Sequence, residues 1–289
     1  MSGVSLATRP FAGLADLTFA PRDGRTRLVA SQTRPPLLAG RVLYPDEALP
    51  DLAHLILANP TAGIFAGDRL RIRVRVRAGG RAHVTTQAAT RVHTMLAGGA
   101  TQRIGLFVGA GAALEWLPDP TIPFRGARFT NSTQLVVAPG GTLIYGDILM
   151  PGRVAFGESL AYTRLTTRLT ATRPAGELLY REATSSVPAR HAPLGRGLLG
   201  ARAAVSGTLL IISDISPMVL RDAIRTALME EMGERSGVLA GVSILPGGGG
   251  VCVKALASDV APVAAALRAA WGVARSQLWD APLPPRRKY

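Results

Sequence analysis

Cysteine is almost absent from this chain of 289 residues, which contains only Cys252. One cysteine excludes an internal disulfide framework and a cysteine-rich metal cluster, and it fits a reducing compartment. Cys252 stands between Val251 and Val253. An apolar run of this kind predicts a buried structural thiol.

Long hydrophobic runs are also missing, although 47% of the residues are hydrophobic. No apolar run approaches the roughly 18 residues that a membrane-spanning helix requires. The opening segment, Met1–Phe19, lacks the basic, apolar and small-residue order of a secretory signal. The sequence therefore predicts a soluble cytoplasmic protein with a sizeable core.

Lysine is scarce as well, since the chain has only Lys254 and Lys288, yet its formal net charge is +14. The charge comes from arginines spread along the whole chain. Nucleic-acid binding needs clustered basic residues, so a basic nucleic-acid-binding module is kept only as an alternative. A basic surface also favours acidic protein partners.

Strict alternation of arginine and apolar residues marks the segment Arg69–Arg77. Such a period of two predicts a strand with one face in the core and one in water. We expect the arginine face to be a solvated sheet face whose like charges discourage edge-to-edge pairing. A partner-binding surface is the alternative interpretation.

Small glycine-containing turns separate apolar strands at three places, around Gly80, Gly111 and Gly141. The pattern predicts three hairpins. Their spacing of about 30 residues suggests that the hairpins stack as a repeated unit. A further strand is predicted over residues 160–172, where threonines alternate with other residues.

The last third of the chain predicts two helices. Ser216-Pro217 is a typical start for a helix that reaches Met232, with Gly233 as its stop, and the second helix runs from near Asp259 to Arg275. The predicted fold class is mainly β, a large multi-stranded core of successive hairpins with two C-terminal helices. We expect a β-rich core over residues 1–205, strands and helices of the same domain over 206–280, and a mobile tail over 281–289.

The usual signatures of catalysis are missing. The four histidines are His54, His83, His93 and His191, and they show no metal-ligand spacing. No nucleophile elbow or phosphate-binding loop is present. The sequence thus predicts no catalytic residue and no tightly bound cofactor, and His83 and His93 stay as weak candidates because they flank the most polar motif.

Acidic residues occur in unusual positions. Asp68, Asp147 and Glu158 each follow a glycine, where a carboxylate commonly hydrogen-bonds nearby backbone amides. Glu115 instead lies among Leu114, Trp116 and Leu117. A carboxylate buried there costs several kcal/mol unless it is paired or hydrated. Glu115 therefore predicts a buried polar network or a water-filled passage.

Two segments, Asn59–Leu70 and Thr85–Val92, resemble the paired signature of the UreD (UreH) family of urease accessory proteins. Later motifs of that family follow in the same order: Leu114–Pro118, Ile122–Phe124, Gly146-Asp147, Gly152-Arg153 and Gly157-Glu158. The resemblance covers about residues 35–185 strongly. Ala62 stands where the family pattern often has glycine.

This resemblance implies a non-catalytic, β-rich scaffold. Members of the family bind a UreF-type accessory partner, which engages the UreG-type GTPase, and the assembly docks on the urease apoprotein. Nickel in transit is thought to pass through the UreD-type protein, which holds no cofactor tightly. Nucleic acid and membrane are not expected as partners.

A nickel passage needs weak oxygen sites, because strong histidine or cysteine ligation would trap the ion. We therefore expect four carboxylates to line or gate the passage: Asp68, Glu115, Asp147 and Glu158. The polar side chains of Thr86 and Gln87 are further candidates. The alternative function from the residues alone is a β-rich hydrolase or isomerase that uses these same acids.

Overall fold

The computed structural model describes residues 11–190, 205–232 and 237–284. The strands are β1 (Leu14–Arg22), β2 (Arg25–Arg34), β3 (Leu38–Ala39), β4 (Ala53–Ala58), β5 (Arg69–Val76), β6 (Arg81–Thr86), β7 (Thr90–Val92), β8 (Ala100–Val108), β9 (Ala113–Trp116), β10 (Thr121–Pro123), β11 (Arg128–Val137), β12 (Thr142–Leu149), β13 (Arg164–Thr172), β14 (Leu178–Ser186), β15 (Val205–Ile212), β16 (Val238–Ile244) and β17 (Gly250–Ala257). The two long helices are α1 (Pro217–Met232) and α2 (Val260–Trp279), and short 3-10 turns cover Val154–Phe156 and Pro246–Gly248. The mainly β fold with two C-terminal helices is confirmed.

The strands form two sheets. Sheet A has seven strands in the order β14-β13-β11-β8-β5-β1-β2, and sheet B has ten, with the main path β16-β17-β15-β12-β9-β6-β4-β3. Strands β7 and β10 pair beside that path. The predicted strand at Arg69–Arg77 is β5, which ends at Val76, and the one at 160–172 is β13, which begins at Arg164.

The three glycine-containing turns are not hairpins. Each turn leads from a strand of sheet A to a strand of sheet B, as β5-β6, β8-β9 and β11-β12. Successive units pair in parallel in both sheets. The turns stack too, since Ala113 N donates to Gly80 O at 2.8 Å and Thr142 N donates to Ala112 O at 2.8 Å. The predicted hairpins are therefore wrong at these turns, whereas the predicted stacked repeat is confirmed.

Apolar side chains fill two layers of core. Between the sheets lie fully buried residues such as Leu106, Leu135 and Leu143. A second cluster, which includes Ile144 and Leu209, fills the space between sheet B and the helices. Strand β12 contributes to both clusters and is buried on both faces. Cys252 is buried in the first cluster, as predicted.

Both predicted helices are present. Helix α1 covers the predicted span, while its predicted stop, Gly233, lies outside the described residues. Helix α2 has Asp259 as its N-cap and continues past Arg275 to Trp279. Within residues 11–190, 205–232 and 237–284, no helix has the length and apolarity that crossing a bilayer requires.

Sheet B is continuous across residue 205, because β12 and β15 pair antiparallel from Leu143 to Leu149. Of the predicted tail, Ala281 is buried, and Pro282 O accepts a hydrogen bond of 2.9 Å from Arg275 Nε. Residues 285–289 lie outside the described ranges.

Candidate functional site

A narrow cavity of about 90 Å³, lined by both polar and apolar side chains, lies between the two sheets. Its rim is built by the loop after β4 (Asn59–Ile64) and the segment after β6 (Thr86–Arg91). Exposed Gln87 places this end of the cavity at the surface. The volume is enough for several water molecules. Both segments of the paired sequence signature therefore meet at one opening.

Local hydrogen bonds explain why the signature loop folds this way. Asn59 Oδ1 accepts from Thr61 N at 3.1 Å and from Thr61 Oγ1 at 2.6 Å, which closes an Asx-type turn. Gly63 has φ +145°, and a Cβ there would lie 2.2 Å from Arg91 O. Ile64 N then donates to Arg91 O at 2.8 Å. Only glycine allows this approach, which joins the two halves of the rim.

Asp147 lies deeper in the same cavity. Strand alternation puts Tyr145 and Asp147 of β12 on the side facing sheet A. Burial raises the pKa of Asp147 to about 6, and the charge of Glu182 adds to this rise while Lys254 opposes it. The carboxyl group therefore changes charge close to neutral pH.

A second cavity of about 330 Å³ adjoins the first. The two cavities share three lining residues, Asn131, Tyr145 and Asp147. At its far end lie Glu182 and Lys254, whose side chains are 36% and 44% exposed and whose charged atoms are 2.5 Å apart. The two cavities therefore adjoin at these shared residues, one beside the signature loops and the other between β14 and β17.

Oxygen atoms dominate the junction of the two cavities. Besides the Asp147 carboxylate, it offers the Tyr145 hydroxyl and the side-chain carbonyl of Asn131. Asn131 Oδ1 is buried without a hydrogen-bond partner among the described residues. Carboxylate, carbonyl and hydroxyl oxygens bind first-row divalent ions more weakly than imidazole or thiolate ligands do. Oxygen ligands of this kind suit weak, reversible contact with a divalent ion.

Thr86 lies at the rim, and its Oγ1 accepts from Asp119 N at 2.8 Å. Of the six side chains predicted for a passage, Thr86, Gln87 and Asp147 line this cavity. Neither cavity is lined by the other three, Asp68, Glu115 and Glu158.

Asp68 is buried and accepts two backbone hydrogen bonds, from Phe11 N and Phe65 N, both at 2.9 Å. It fixes the start of β5 to the end of the signature loop. The expectation that an acid after glycine binds nearby amides is confirmed here.

Glu115 points to the other face of sheet B, towards α2. His83 Nδ1 donates to Glu115 Oε2 at 2.7 Å, and Trp271 Nε1 donates to Oε1 at 2.8 Å. Arg275 Nη1 lies 3.1 Å from Glu115 Oε1 and 3.2 Å from Glu115 Oε2, and it donates to both. Arg275 Nη2 donates to the carboxylate of Asp46. The predicted buried polar network is confirmed.

In this network the partners of Glu115 together affect its pKa more strongly than burial does. Burial alone would raise the pKa of Glu115, but the hydrogen bond from His83 and the charge of Arg275 hold the pKa below its usual value. Glu115 and Arg275 are both 0% exposed. The carboxylate and the guanidinium have no exposed surface, and their hydrogen bonds hold α2 on sheet B.

Glu158 forms an ion pair with Arg153 at 2.6 Å and accepts from Arg125 N at 3.2 Å. The hydrogen bonds from Arg153 lower the pKa of Glu158 to about 2, against the effect of burial. The Arg153 guanidinium also lies 4.2 Å from the centre of the Phe124 ring. Glu158 therefore fastens the 3-10 turn after β12.

Comparison with known proteins supports one family over nearly the whole chain. The family model described as UreD urease accessory protein matches residues 12–289. The chain belongs to the UreD family of urease accessory proteins.

Relatives within the UreD family span bacteria and archaea. The chain is 37% identical to urease accessory protein UreD 2 of Streptomyces griseus over 278 residues, which cover 96% of this chain and 93% of the relative. It is 35% identical to urease accessory protein UreD of Haloarcula marismortui, with 96% and 90% coverage. For urease accessory protein UreD of Cenarchaeum symbiosum the identity is 29%, with 94% of both chains covered.

The histidines of this UreD-family chain are held by structural contacts where they are described. His83 belongs to the Glu115 network, and the His93 ring stacks on Phe65 with centroids 4.4 Å apart. His191 lies outside the described residues. The part of the chain that the structure describes contains no group of three or more His, Cys, Asp or Glu side chains placed to hold a metal ion.

Sequence reasoning missed Glu182, Lys254 and Asn131. Glu182 and Asn131 lie in alternating strands where nothing local distinguishes them. Lys254 carries a signal, because it is one of only two lysines in the chain. Its position opposite Glu182 depends on two sheets meeting across the core and has no local signature.

Proposed function

We propose that this UreD-family chain is a non-catalytic scaffold for nickel delivery to the urease apoprotein, and that nickel passes between its two sheets beside Asp147. One observation carries the proposal. Both signature segments and Asp147 line one polar cavity, and that cavity shares three residues with a second one that opens elsewhere. Two openings and an oxygen-lined junction suit transit better than storage.

Asp147 is the central group of this route. Above a pH of about 6 its carboxylate is charged and attracts a divalent ion. Lys254 and Glu182 at the second opening form an ion pair, and Arg168 is a further charged side chain that lines this cavity. Thr86 and Gln87 serve the entrance formed by the signature loops.

Asp68, Glu115 and Glu158 have a supporting part in this proposal. Their hydrogen bonds and ion pairs bind loop to strand and helix to sheet. They keep the walls of the route in place without contacting the ion.

The proposed partners are a UreF-type accessory protein, a UreG-type GTPase and the urease apoprotein, in the cytoplasm. The family assignment and the names of the relatives as urease accessory proteins support this part. Neither nucleic acid nor membrane has a place in the assembly.

Affinity capture tests the scaffold part. A tagged chain is co-expressed with urease subunits and accessory proteins of the UreF and UreG types, and the captured complex is analysed by mass spectrometry. We expect the UreF-type protein and the urease subunits in the complex. Capture of the tagged chain alone would contradict the scaffold role.

Calorimetry tests the route. Nickel is titrated into the purified chain at about pH 7.5, where Asp147 is ionised. We expect Asp147→Asn to weaken binding by about tenfold or more, since among the described residues Asp147 is the one carboxylate that lines both cavities. Asp23→Asn is the control, because Asp23 is 84% exposed in the turn between β1 and β2 and also loses one carboxylate. Equal binding by the two variants would place the ion elsewhere.

A further inference from the structure

The outer face of sheet A has a shallow depression of about 590 Å³ that the nickel route does not use. We propose that this depression binds an acidic segment of a partner protein. Four arginines line it: Arg34, Arg69, Arg71 and Arg103. It lies on the face turned away from the inter-sheet cavities, so the proposal does not depend on the path of nickel.

The strand register brings the four arginines together. Leu14 of β1 is paired with Arg34 on one side and with Arg71 on the other. Arg71 is in turn paired with Arg103 of β8. Neighbouring strands are about 4.8 Å apart, and residues two apart on a strand are about 7 Å apart on the same face. Arg69 therefore completes a compact patch, which we call the arginine patch.

Nothing among the described residues neutralises the arginine patch. The next two arginines of β5 are different, because Arg73 and Arg75 both contact the carboxylate of Asp16. No carboxylate lines the depression, and none of its four arginines forms an ion pair with a described residue. Like charges placed directly opposite each other destabilise a sheet. A bound anion would remove this repulsion.

Protection of a sheet edge does not account for the arginine patch. Strand β5 is paired with β1 and β8, and β8 is paired with β5 and β11, so both are interior strands. The predicted role of the β5 arginines in discouraging edge-to-edge pairing is therefore wrong. The alternative interpretation, a partner-binding surface, agrees with the position of these arginines in the middle of the sheet.

The chemistry of the patch favours carboxylates on a protein. Guanidinium groups bind carboxylates through two parallel hydrogen bonds, and several carboxylates on one loop can engage several arginines at once. Single-stranded nucleic acid would also need aromatic side chains on which its bases stack. No aromatic residue lines the depression. The expected ligand is thus a loop or terminus rich in aspartate and glutamate.

Fluorescence anisotropy tests the proposal with the purified full chain and a labelled oligoglutamate peptide. We expect binding at low salt that weakens strongly at about 0.3 M salt, because the charges are exposed. The double variant Arg71→Gln/Arg103→Gln should bind about tenfold more weakly. The control is Arg41→Gln/Arg225→Gln, which removes the same charge from two exposed arginines outside the patch. It should bind within about twofold of the unmodified chain.

The thermal unfolding midpoint provides a second readout. Arg71→Gln/Arg103→Gln should keep or raise this midpoint, because it relieves repulsion between neighbouring strands. A large fall in the midpoint would show that the arginines serve the fold and would overturn the proposal.

Three binding results would also overturn it. The peptide could fail to bind, or both double variants could lose affinity equally, which would indicate a general charge effect. A single-stranded DNA oligonucleotide could instead bind more tightly than the peptide and be lost with Arg71→Gln/Arg103→Gln. That last result would identify a nucleic-acid site.

Discussion

At the scale of single residues, Asp147 differs from Glu115 and Glu158 in its partners. Glu115 and Glu158 have arginine partners and pKa values below their usual range. Asp147 has no such partner in direct contact, and burial raises its pKa to about 6. Groups that only hold a fold are normally satisfied, whereas a raised pKa in a cavity is a common property of functional sites. This contrast separates Asp147 from Glu115 and Glu158.

The raised pKa of Asp147 predicts a pH-dependent stability. Between the unfolded pKa of about 4 and the folded value of about 6 the folded state binds the extra proton, so stability falls as pH rises through this range. Above about pH 6 the charged form costs at most about 3 kcal/mol. Asp147→Asn removes the cost, and urea unfolding should show the variant to be more stable than the unmodified chain at about pH 8.

The advantage of Asp147→Asn should disappear below about pH 4, where Asp147 is neutral in both states. A difference in the free energy of unfolding that is the same at both pH values would contradict the assigned pKa.

Arg275 gives the second prediction at this scale. Replacing it by methionine leaves Glu115 and Asp46 buried without their cation, and the free energy of unfolding should fall by about 3–5 kcal/mol. Arg225→Met in α1 is the control, since Arg225 is exposed, and a change within about 0.5 kcal/mol is expected. If Arg275→Met and Arg225→Met lowered the free energy of unfolding equally in urea denaturation, the Glu115 network would not be what holds the helices on sheet B.

At the scale of elements, glycine sets the distance between β15 and α2. A Cβ on Gly207 would lie 2.5 Å from Val263 Cγ1 and 2.9 Å from Leu267 Cδ1. Both neighbours belong to the apolar cluster between sheet B and the helices. The helix therefore packs directly on the backbone of β15, and this contact also brings Trp271 and Arg275 to Glu115.

Gly207→Ala should lower the free energy of unfolding by about 1–3 kcal/mol, because the added methyl group pushes α2 off the sheet. Gly241→Ala is the matched control: Gly241 also lies in a strand, and a Cβ there meets nothing within 4 Å. It should change stability by less than about 0.5 kcal/mol. Guanidinium denaturation of both variants compares them, and equal losses would argue against close packing at Gly207.

Local sequence pattern was sufficient to predict the positions of several strands and helices. Alternation located β5, and capping residues located both helices, because these signals act within a few residues. The turns at Gly80, Gly111 and Gly141 were misassigned as hairpins. A tight turn between apolar strands fits either a hairpin or a step from one sheet to the other, and only long-range pairing decides between them.

At the candidate site too, local sequence pattern predicted some residues and not others. Asp147, Thr86 and Gln87 were predicted because they occur in family motifs, and the structure brings them to one cavity. Glu182 and Asn131 come from sheet A and meet Asp147 only across the core. No sequence spacing reports such a contact, so the second opening could not be predicted.

At the scale of the whole molecule, the inter-sheet cavities and the arginine patch lie on opposite sides of sheet A. The cavities of the proposed nickel route lie between the sheets, and the arginine patch lies on the outer face. If both proposals hold, a partner bound to the arginine patch would leave the cavities between the sheets open. The proposed patch would give part of the net charge of +14 a role in binding an acidic partner.

Nickel transfer to urease tests the central claim most directly. Urease is purified from cells that co-express its subunits, the other accessory proteins and either Asp147→Asn or the exposed control Asp23→Asn, and its nickel content is measured by mass spectrometry. With Asp23→Asn we expect the nickel content reached with the unmodified chain. With Asp147→Asn we expect a large loss of nickel while the UreF-type partner is still captured. Fully loaded urease from the Asp147→Asn cells would contradict a route past Asp147.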